Sequence, residues 1–111
     1  MKVIPDGSKT RVCVEMEGAS GVQMEILVGE DEGAPNFIMR RFTVDANGHT
    51  PYHSHADEHV VLIVDGTGHL QGEDGPQPFK TGDAVFVAPG IMHQFVNDSE
   101  AVLVFTCTIP K

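Results

Sequence analysis

The sequence predicts an all-β fold, a single barrel-like domain over residues 1–111, and three observations favour this fold class. Turn-forming clusters of Gly, Pro, Asn and Asp recur along the chain at short intervals. Between them lie short segments rich in Val, Ile, Phe and Thr, which favour strands. No segment sustains the 3.6-residue periodicity of an amphipathic helix. A chain of 111 residues suits one domain with a small core.

Six segments are the clearest predicted strands. They are residues 22–28, 37–44, 60–64, 84–87, 93–97 and 101–109. The stretch 16–24 is interrupted by Gly18 and Gly21, so we expect no helix there. Closing these strands into a barrel would remove the exposed edges that an open sheet leaves.

The charge balance argues against nucleic-acid and membrane partners. Seven basic and sixteen acidic residues give a net charge of −9 with His neutral, whereas phosphate backbones and anionic membranes require clustered Lys and Arg. No apolar run approaches the roughly 20 residues of a transmembrane helix, and the N-terminus lacks a signal-peptide segment. We therefore expect a cytoplasmic protein in which Cys13 and Cys107 are buried free thiols.

Alternation along the strands predicts which side chains share a face. In the last segment one face carries Leu103, Phe105, Cys107 and Ile109, and in the segment before it one face carries His93, Phe95 and Asn97. In segment 37–44 each face has an arginine, Arg40 or Arg41, so parity does not choose the inner one. An interior of apolar residues with a few polar groups is typical of a small-molecule site.

Four of the six histidines predict a metal site. His53 and His55 are two residues apart, so on a strand both rings project from one face. His59 opens the next predicted strand, and His93 starts another strand 34 residues later. Imidazole suits Zn, Cu, Fe and Ni, and also Mn in mixed sites. We therefore expect one divalent transition metal ion per chain, whose uncompensated charge attracts an anionic ligand.

Two segments around these histidines resemble the two sequence motifs of the cupin superfamily. The residues that match the first motif, HxH then Glu then Gly, are His53, His55, His59 in place of the Glu, and Gly66. Those that match the second motif are Gly82, Gly90, His93 and Asn97. Asn47 and Ala88 replace a Gly and a Pro of the motifs at turns. Residues 34–44, with the sequence APNFIMRRFTV, are similar to a subgroup in which four histidines ligate one ion.

The resemblance implies a conical barrel of six or more strands, with the metal in its lumen, and a homodimer. The ligands that it implies are His53, His55, His59 and His93. The pocket residues that it implies are Arg40, Phe95, Phe105, Cys107 and Ile109. In such a pocket Arg40 would pair with an anionic small-molecule substrate, because guanidinium binds carboxylates in two-pronged fashion.

Three other polar residues near the motif are expected to lie outside the site. Glu58 precedes His59, but adjacent strand residues point to opposite faces and the spacing to Gly66 counts from His59, so His59 is the favoured ligand. His49 lies in a predicted loop and His69 in a strand between turns. We expect both of these histidines to be solvated.

Three classes of function remain open from the sequence. The leading hypothesis is a metal-dependent enzyme with an oxygenase-type reaction, because four protein nitrogens on an octahedral ion leave two adjacent positions free. The alternatives are a non-catalytic module that binds or senses a metabolite or metal, and a metal-stabilised structural protein. A cupin fold by itself does not decide among them.

Overall fold

The computed structural model describes all 111 residues and contains nine β-strands joined by short loops. The strands are β1 Val12–Cys13, β2 Ser20–Val28, β3 Phe37–His49, β4 His59–Asp65, β5 Thr67–Gly72, β6 Gly75–Lys80, β7 Ala84–Val87, β8 Gln94–Val96 and β9 Leu103–Pro110. One turn of 3-10 helix, Glu30–Glu32, is the single helical element. The predicted all-β fold class is confirmed. No helix is long and apolar enough to cross a membrane.

Two curved walls of antiparallel strands enclose the interior. One wall has the order β1–β2–β3–β9–β4–β7, and the other has the order β8–β5–β6. The long strand β3 joins the walls, because its last residue, His49, pairs with Ser20 of β2 and with Val96 of β8. An isolated bridge between His53 and His93 lies beside this junction. The junction therefore brings the two histidine-bearing segments to the same place.

All six segments named as the clearest predicted strands are present, and three further strands occur. The strand expected around His69 is β5, whereas the short β1 and the strand β6 were not predicted. Two prolines, Pro76 and Pro78, made the β6 segment look like a turn. The structure accommodates them because β6 is the edge strand of its wall. An edge strand tolerates proline where the missing N–H would face solvent and not a neighbouring strand.

The core between the walls is small and apolar. Its buried residues are Val22, Val44, Val61, Ile63, Phe79, Val87, Phe95, Leu103, Phe105 and Cys107. They follow the expected alternation: Val61 and Ile63 of β4 point inward, whereas Val60 and Leu62 are exposed. The inner faces therefore supply both the core and the walls of the site.

The prediction that both cysteines are buried is wrong for Cys13. This residue lies on β1, a two-residue strand that pairs only with β2 and whose residues are both exposed. Cys107 is buried and points into the interior from β9. The two thiols are unpaired and occupy different environments, so a substitution of Cys13 is a suitable control for substitutions of Cys107.

Two motif residues hold the chain in place near the junction. Asn47 was expected at a turn but lies within β3, where the pairing with β2 shifts register between Val44 and His49. Its φ of 61° lies in the left-handed region that favours glycine, and Asn is among the few other residues that tolerate it. Asn97 is fully buried, and its Nδ2 lies 3.0 Å from the carbonyl oxygens of both Val44 and Asp45. Its Oδ1 accepts a hydrogen bond from the Ser99 backbone N–H. Asn97 thereby fastens the end of β3 to the loop before β9.

Candidate metal centre

The four histidines of the predicted constellation line one cavity of about 180 Å³ inside the barrel. They are His53, His55, His59 and His93. The cavity is bounded by β2, β3, β4, β8 and β9, and by the chain before β2, after β3 and before β8. The fold therefore gathers side chains that are up to 40 residues apart in sequence (53 to 93).

Three of these rings converge closely. One ring nitrogen each of His53, His55 and His93 lies within 4.8 Å of the others. The Nε2 atoms of His53 and His55 are 2.9 Å apart. The backbones are paired as well: the His53 N–H donates to the His93 carbonyl at 3.1 Å, and the His93 N–H donates back at 2.9 Å. This cluster has the donor set and spacing to hold a metal ion.

The local structure that produces this convergence differs from the prediction. His53 forms only an isolated bridge, and His55 lies in the following loop, so these two do not share a strand face. The His55 carbonyl instead accepts a hydrogen bond from the Gly90 N–H at 2.7 Å. Backbone pairing between the two loops, and not strand alternation, brings the rings together.

His59 lies beside the three-histidine cluster. It opens β4, as predicted, and is 7% exposed. Its ring centroid is 4.8 Å from that of His55 and 5.1 Å from that of His93. Its Nδ1 lies 3.1 Å from the Sγ of Cys107, whereas its Nε2 is buried without a hydrogen-bond partner. The group of mutually close ring nitrogens nevertheless contains three histidines, so a four-histidine site is not confirmed.

Burial favours the neutral form of three of the four rings. Burial, followed by repulsion from the neighbouring histidines and Arg40, lowers the pKa of His59 to about 4. Burial is also the main cause that lowers the pKa values of His53 and His55. Neutral imidazoles are the form that binds metals. Together with the unpartnered Nε2 of His59, the histidine cluster fits a divalent cation.

Arg40 projects into the same cavity, which resolves the choice that parity left open. Its Nη2 lies 3.4 Å from the Sγ of Cys107, and its guanidinium lies 5.0 Å from the centre of the Phe42 ring. Its Nε is buried without a partner. Arg41 takes the other face, where it forms a two-pronged pair with buried Glu25 at 3.1 Å for both bonds. Arg40 therefore carries a positive charge and a free donor into the cavity.

The apolar part of the cavity is built on phenylalanines. Phe95 and Phe105 stack with ring centroids 4.6 Å apart, and Phe42 stacks on Phe105 at 5.2 Å. Phe42 shares a strand face with Arg40, so alternation is a signal that could have placed it in the cavity. Further lining residues that were not predicted are Val14, Met16, Val22, Met24, Thr50 and Pro51. No simple pattern marks the segment before β2 as part of the wall.

Three predicted placements differ in the structure. Ile109 does not line the cavity; it is partly buried and packs against the core, because β9 has passed the cavity by this point. His49 is half-buried, with its Nδ1 3.3 Å from the Gln94 side-chain amide. His69 is also half-buried, because its Nδ1 pairs with a carboxylate oxygen of Asp98 at 2.9 Å. Neither histidine lines the cavity.

Comparison with known proteins supports the architecture. The solved structure of the polyketide cyclase RemF from Streptomyces resistomycificus is 28% identical, with a TM-score of 0.92, over 99% of this chain and 79% of that one. A predicted oxalate decarboxylase from Thermotoga maritima is 23% identical, with a TM-score of 0.84, over 98% of each chain. A cupin-2 domain from Rhodospirillum rubrum is 21% identical, with a TM-score of 0.86, over 98% of this chain and 74% of that one. No curated protein sequence matches significantly.

The family assignment rests on a match to most of the chain. The family model of the cupin domain matches residues 40–109, which include both histidine segments, strands β4 to β8 and most of β3 and β9. The matched region begins at Arg40 and ends at Ile109, so it contains every residue expected for the metal and the pocket. This chain belongs to the cupin family.

Proposed function

We propose that this protein is a metal-dependent enzyme that acts on a small, largely apolar molecule with an anionic or enolisable oxygen. The observation that carries the proposal is the cluster of three imidazoles in the lumen, with the buried and unpartnered Nε2 of His59 beside it. In the proposal His53, His55, His59 and His93 hold one divalent transition metal, Mn, Fe, Ni, Cu or Zn. When bound, such an ion polarises a carbonyl oxygen or lowers the pKa of a bound oxygen ligand.

The charge of the cavity supports an electron-rich ligand. No Asp or Glu lines the cavity, whereas Arg40 does. A divalent cation held by neutral ligands would add to the arginine's charge, so the site would be strongly positive inside a protein of net charge −9. Burying an uncompensated charge is costly, and an anionic oxygen of the substrate would offset that cost. The free Nε of Arg40 is a donor for it.

The apolar wall supports the remaining part of the substrate. The stacked rings of Phe42, Phe105 and Phe95 provide an aromatic wall, and Met24 and Met16 provide adaptable side chains that line the same cavity. A largely apolar or aromatic molecule would pack against such a wall. The residues of the chain would then bind the substrate, orient its oxygen towards the histidines, and exclude water.

The similarity to the polyketide cyclase favours Lewis-acid chemistry as the reaction type. The two chains are 28% identical over nearly all of this one, and cyclisation of an enolisable chain needs a site that stabilises an enolate oxygen. The oxygenase-type reaction expected from the sequence stays a second proposal, because imidazole ligands also suit iron and copper.

Turnover by defined metal forms tests the proposal. The protein reconstituted with Zn²⁺ is expected to convert an aromatic poly-β-ketone probe to a cyclised product without consuming oxygen. The metal-free protein and the His93→Ala variant are the controls, and both should be inactive. Oxygen uptake by the Fe²⁺ form, with no cyclisation by the Zn²⁺ form, would refute cyclisation and favour the oxygenase-type reaction. Probe binding without any turnover would favour a binding or sensing module.

We also propose a homodimer whose interface is the outer face of β4, β7 and β9. Exposed apolar side chains share this face, because Val60 of β4 stands between Phe86 of β7 and Thr108 of β9 in the register. Leu62, two residues further along β4, lies on the same face, and none of these residues is charged. A second copy is the partner that fits, since two chains of net charge −9 can approach most easily through an uncharged face.

Charge introduced on this face should dissociate the dimer. The wild-type protein is expected to sediment with the mass of two chains, and Leu62→Glu with the mass of one, because a buried unpaired carboxylate is strongly unfavourable. Val102→Glu, at an exposed apolar position in the loop before β9, is the matched control and should remain dimeric. A monomeric wild-type protein at micromolar concentration would refute the proposed interface.

The two unpaired cysteines support the predicted cytoplasmic location, because free thiols persist in reducing compartments.

A further inference from the structure

Cys107 lies between two cavity groups that each have an unpartnered nitrogen. On β9 it is the direct register partner of Arg40 on β3 and of Val61 on β4. His59 lies two residues before Val61 and therefore on the same face of β4. The thiol sulfur thus lies 3.4 Å from the Nη2 of Arg40 and 3.1 Å from the Nδ1 of His59.

The hydrogen-bond chemistry of this arrangement restricts the tautomer of His59. A neutral imidazole carries one proton, on either Nδ1 or Nε2. A proton on Nε2 would be a buried donor without an acceptor, because no partner lies within reach of that atom. A proton on Nδ1 is directed at the sulfur of Cys107 and leaves Nε2 with a free lone pair and no proton to satisfy. The second arrangement satisfies the donor and leaves a free metal-binding lone pair.

We propose that Cys107 is a positioning residue: its sulfur accepts the Nδ1–H of His59 and thereby turns the Nε2 lone pair towards the cluster of His53, His55 and His93. The same sulfur accepts a hydrogen bond from Arg40, which can only donate. One thiol therefore orients both the fourth metal ligand and the proposed anion-binding residue. This inference rests on the proposed metal site.

The tautomer of His59 tests the inference without any metal. In the ¹⁵N spectrum of metal-free wild-type protein near neutral pH, the Nδ1 of His59 should show the shift of a protonated nitrogen, and Nε2 that of an unprotonated one. In Cys107→Val this preference should be lost or reversed. An Nε2–H tautomer in the wild-type protein would overturn the inference, whether or not the protein binds metal.

Metal affinity of three variants provides the second test. Cys107→Ala and Cys107→Val remove the hydrogen-bond acceptor, and valine also fills the space of the thiol. Both variants should bind Co²⁺ about 10- to 100-fold more weakly, as measured in competition with a chelator, because that is the usual effect of removing the hydrogen-bond partner of a ligating histidine. Cys107→Ser keeps an acceptor and should stay within a few-fold of wild type. Cys13→Ser, at the exposed cysteine, is the matched control and should bind as wild type does.

The spectrum of the Co²⁺ protein separates positioning from direct ligation. The wild-type protein should lack a near-ultraviolet thiolate-to-metal charge-transfer band, because the sulfur contacts the His59 ring and not the ion. A band that disappears in Cys107→Ser would make Cys107 itself a ligand and overturn the inference. Wild-type affinity in Cys107→Val, with unchanged thermal unfolding, would also overturn it. Failure of the wild-type protein to bind any metal would refute the metal site itself.

Discussion

Replacing His55 by alanine is expected to abolish most metal binding and to lower the melting temperature of the metal-loaded protein. The Nε2 of His55 is 2.9 Å from that of His53, so this ring stands inside the cluster. A metal present at 100 times its dissociation constant stabilises the folded state by about 2.7 kcal/mol. For a domain of this size, loss of that stabilisation corresponds to a drop of roughly 10 °C.

His69→Ala is the matched control for this experiment. His69 is also a half-buried histidine on the same domain, but its Nδ1 is paired with Asp98 and it does not line the cavity. Its loss should leave the metal content unchanged and shift the melting temperature by little, since an ion pair near the surface contributes about 1 kcal/mol or less. Equal metal content in the two variants, measured by inductively coupled plasma mass spectrometry, would contradict the ligand assignment.

Replacing Arg40 by methionine is expected to weaken the binding of an anionic ligand by roughly tenfold to a hundredfold. Hydrogen bonds to charged groups contribute about 1.5–3 kcal/mol, and the Nε of Arg40 is a buried donor without a partner in the protein. Metal content should stay at the wild-type level, because guanidinium does not ligate metals. Isothermal titration calorimetry of the Zn²⁺ protein with benzoate and with benzamide distinguishes the contribution of the ligand's charge to affinity from that of its ring.

Arg40→Lys provides the control for charge alone. Lysine keeps the positive charge but lacks the planar donor fork, so it should recover part of the benzoate affinity. Benzamide binding should change little in either variant, because it depends on packing against the stacked rings of Phe42 and Phe105. Equal benzoate affinity in wild-type protein and Arg40→Met would show that Arg40 does not bind the anion.

Strand prediction succeeded where the alternation of side chains was strong and failed where it was weak. The buried positions of β4 and β9 follow alternation closely, so their inner residues could be assigned before the structure was known. Strand β6 was missed because its two prolines, Pro76 and Pro78, are tolerated only at the edge position of β6. An edge position depends on the whole sheet order, which no local pattern encodes.

The site could be predicted in its residue types but not in its geometry. The spacing of His53 and His55 suggested a shared strand face, whereas backbone pairing of two loops brings their rings together. Parity left Arg40 and Arg41 equivalent. The structure distinguishes them, because Arg40 contacts Cys107 in the cavity whereas Arg41 pairs with Glu25 on the other face. The contact between His59 and Cys107 joins residues 48 positions apart, which sequence spacing does not reveal.

Elemental analysis of untagged protein, purified without added metal, shows directly whether the histidine cluster holds one metal ion. We expect about one equivalent of a divalent transition metal per chain, and its loss in the double variant His53→Ala/His93→Ala. The same double variant should keep its β-sheet circular dichroism, so that the loss reports on the ligands. Absence of metal from the wild-type protein, even after reconstitution with Mn²⁺, Fe²⁺, Ni²⁺, Cu²⁺ and Zn²⁺, would refute the metal site.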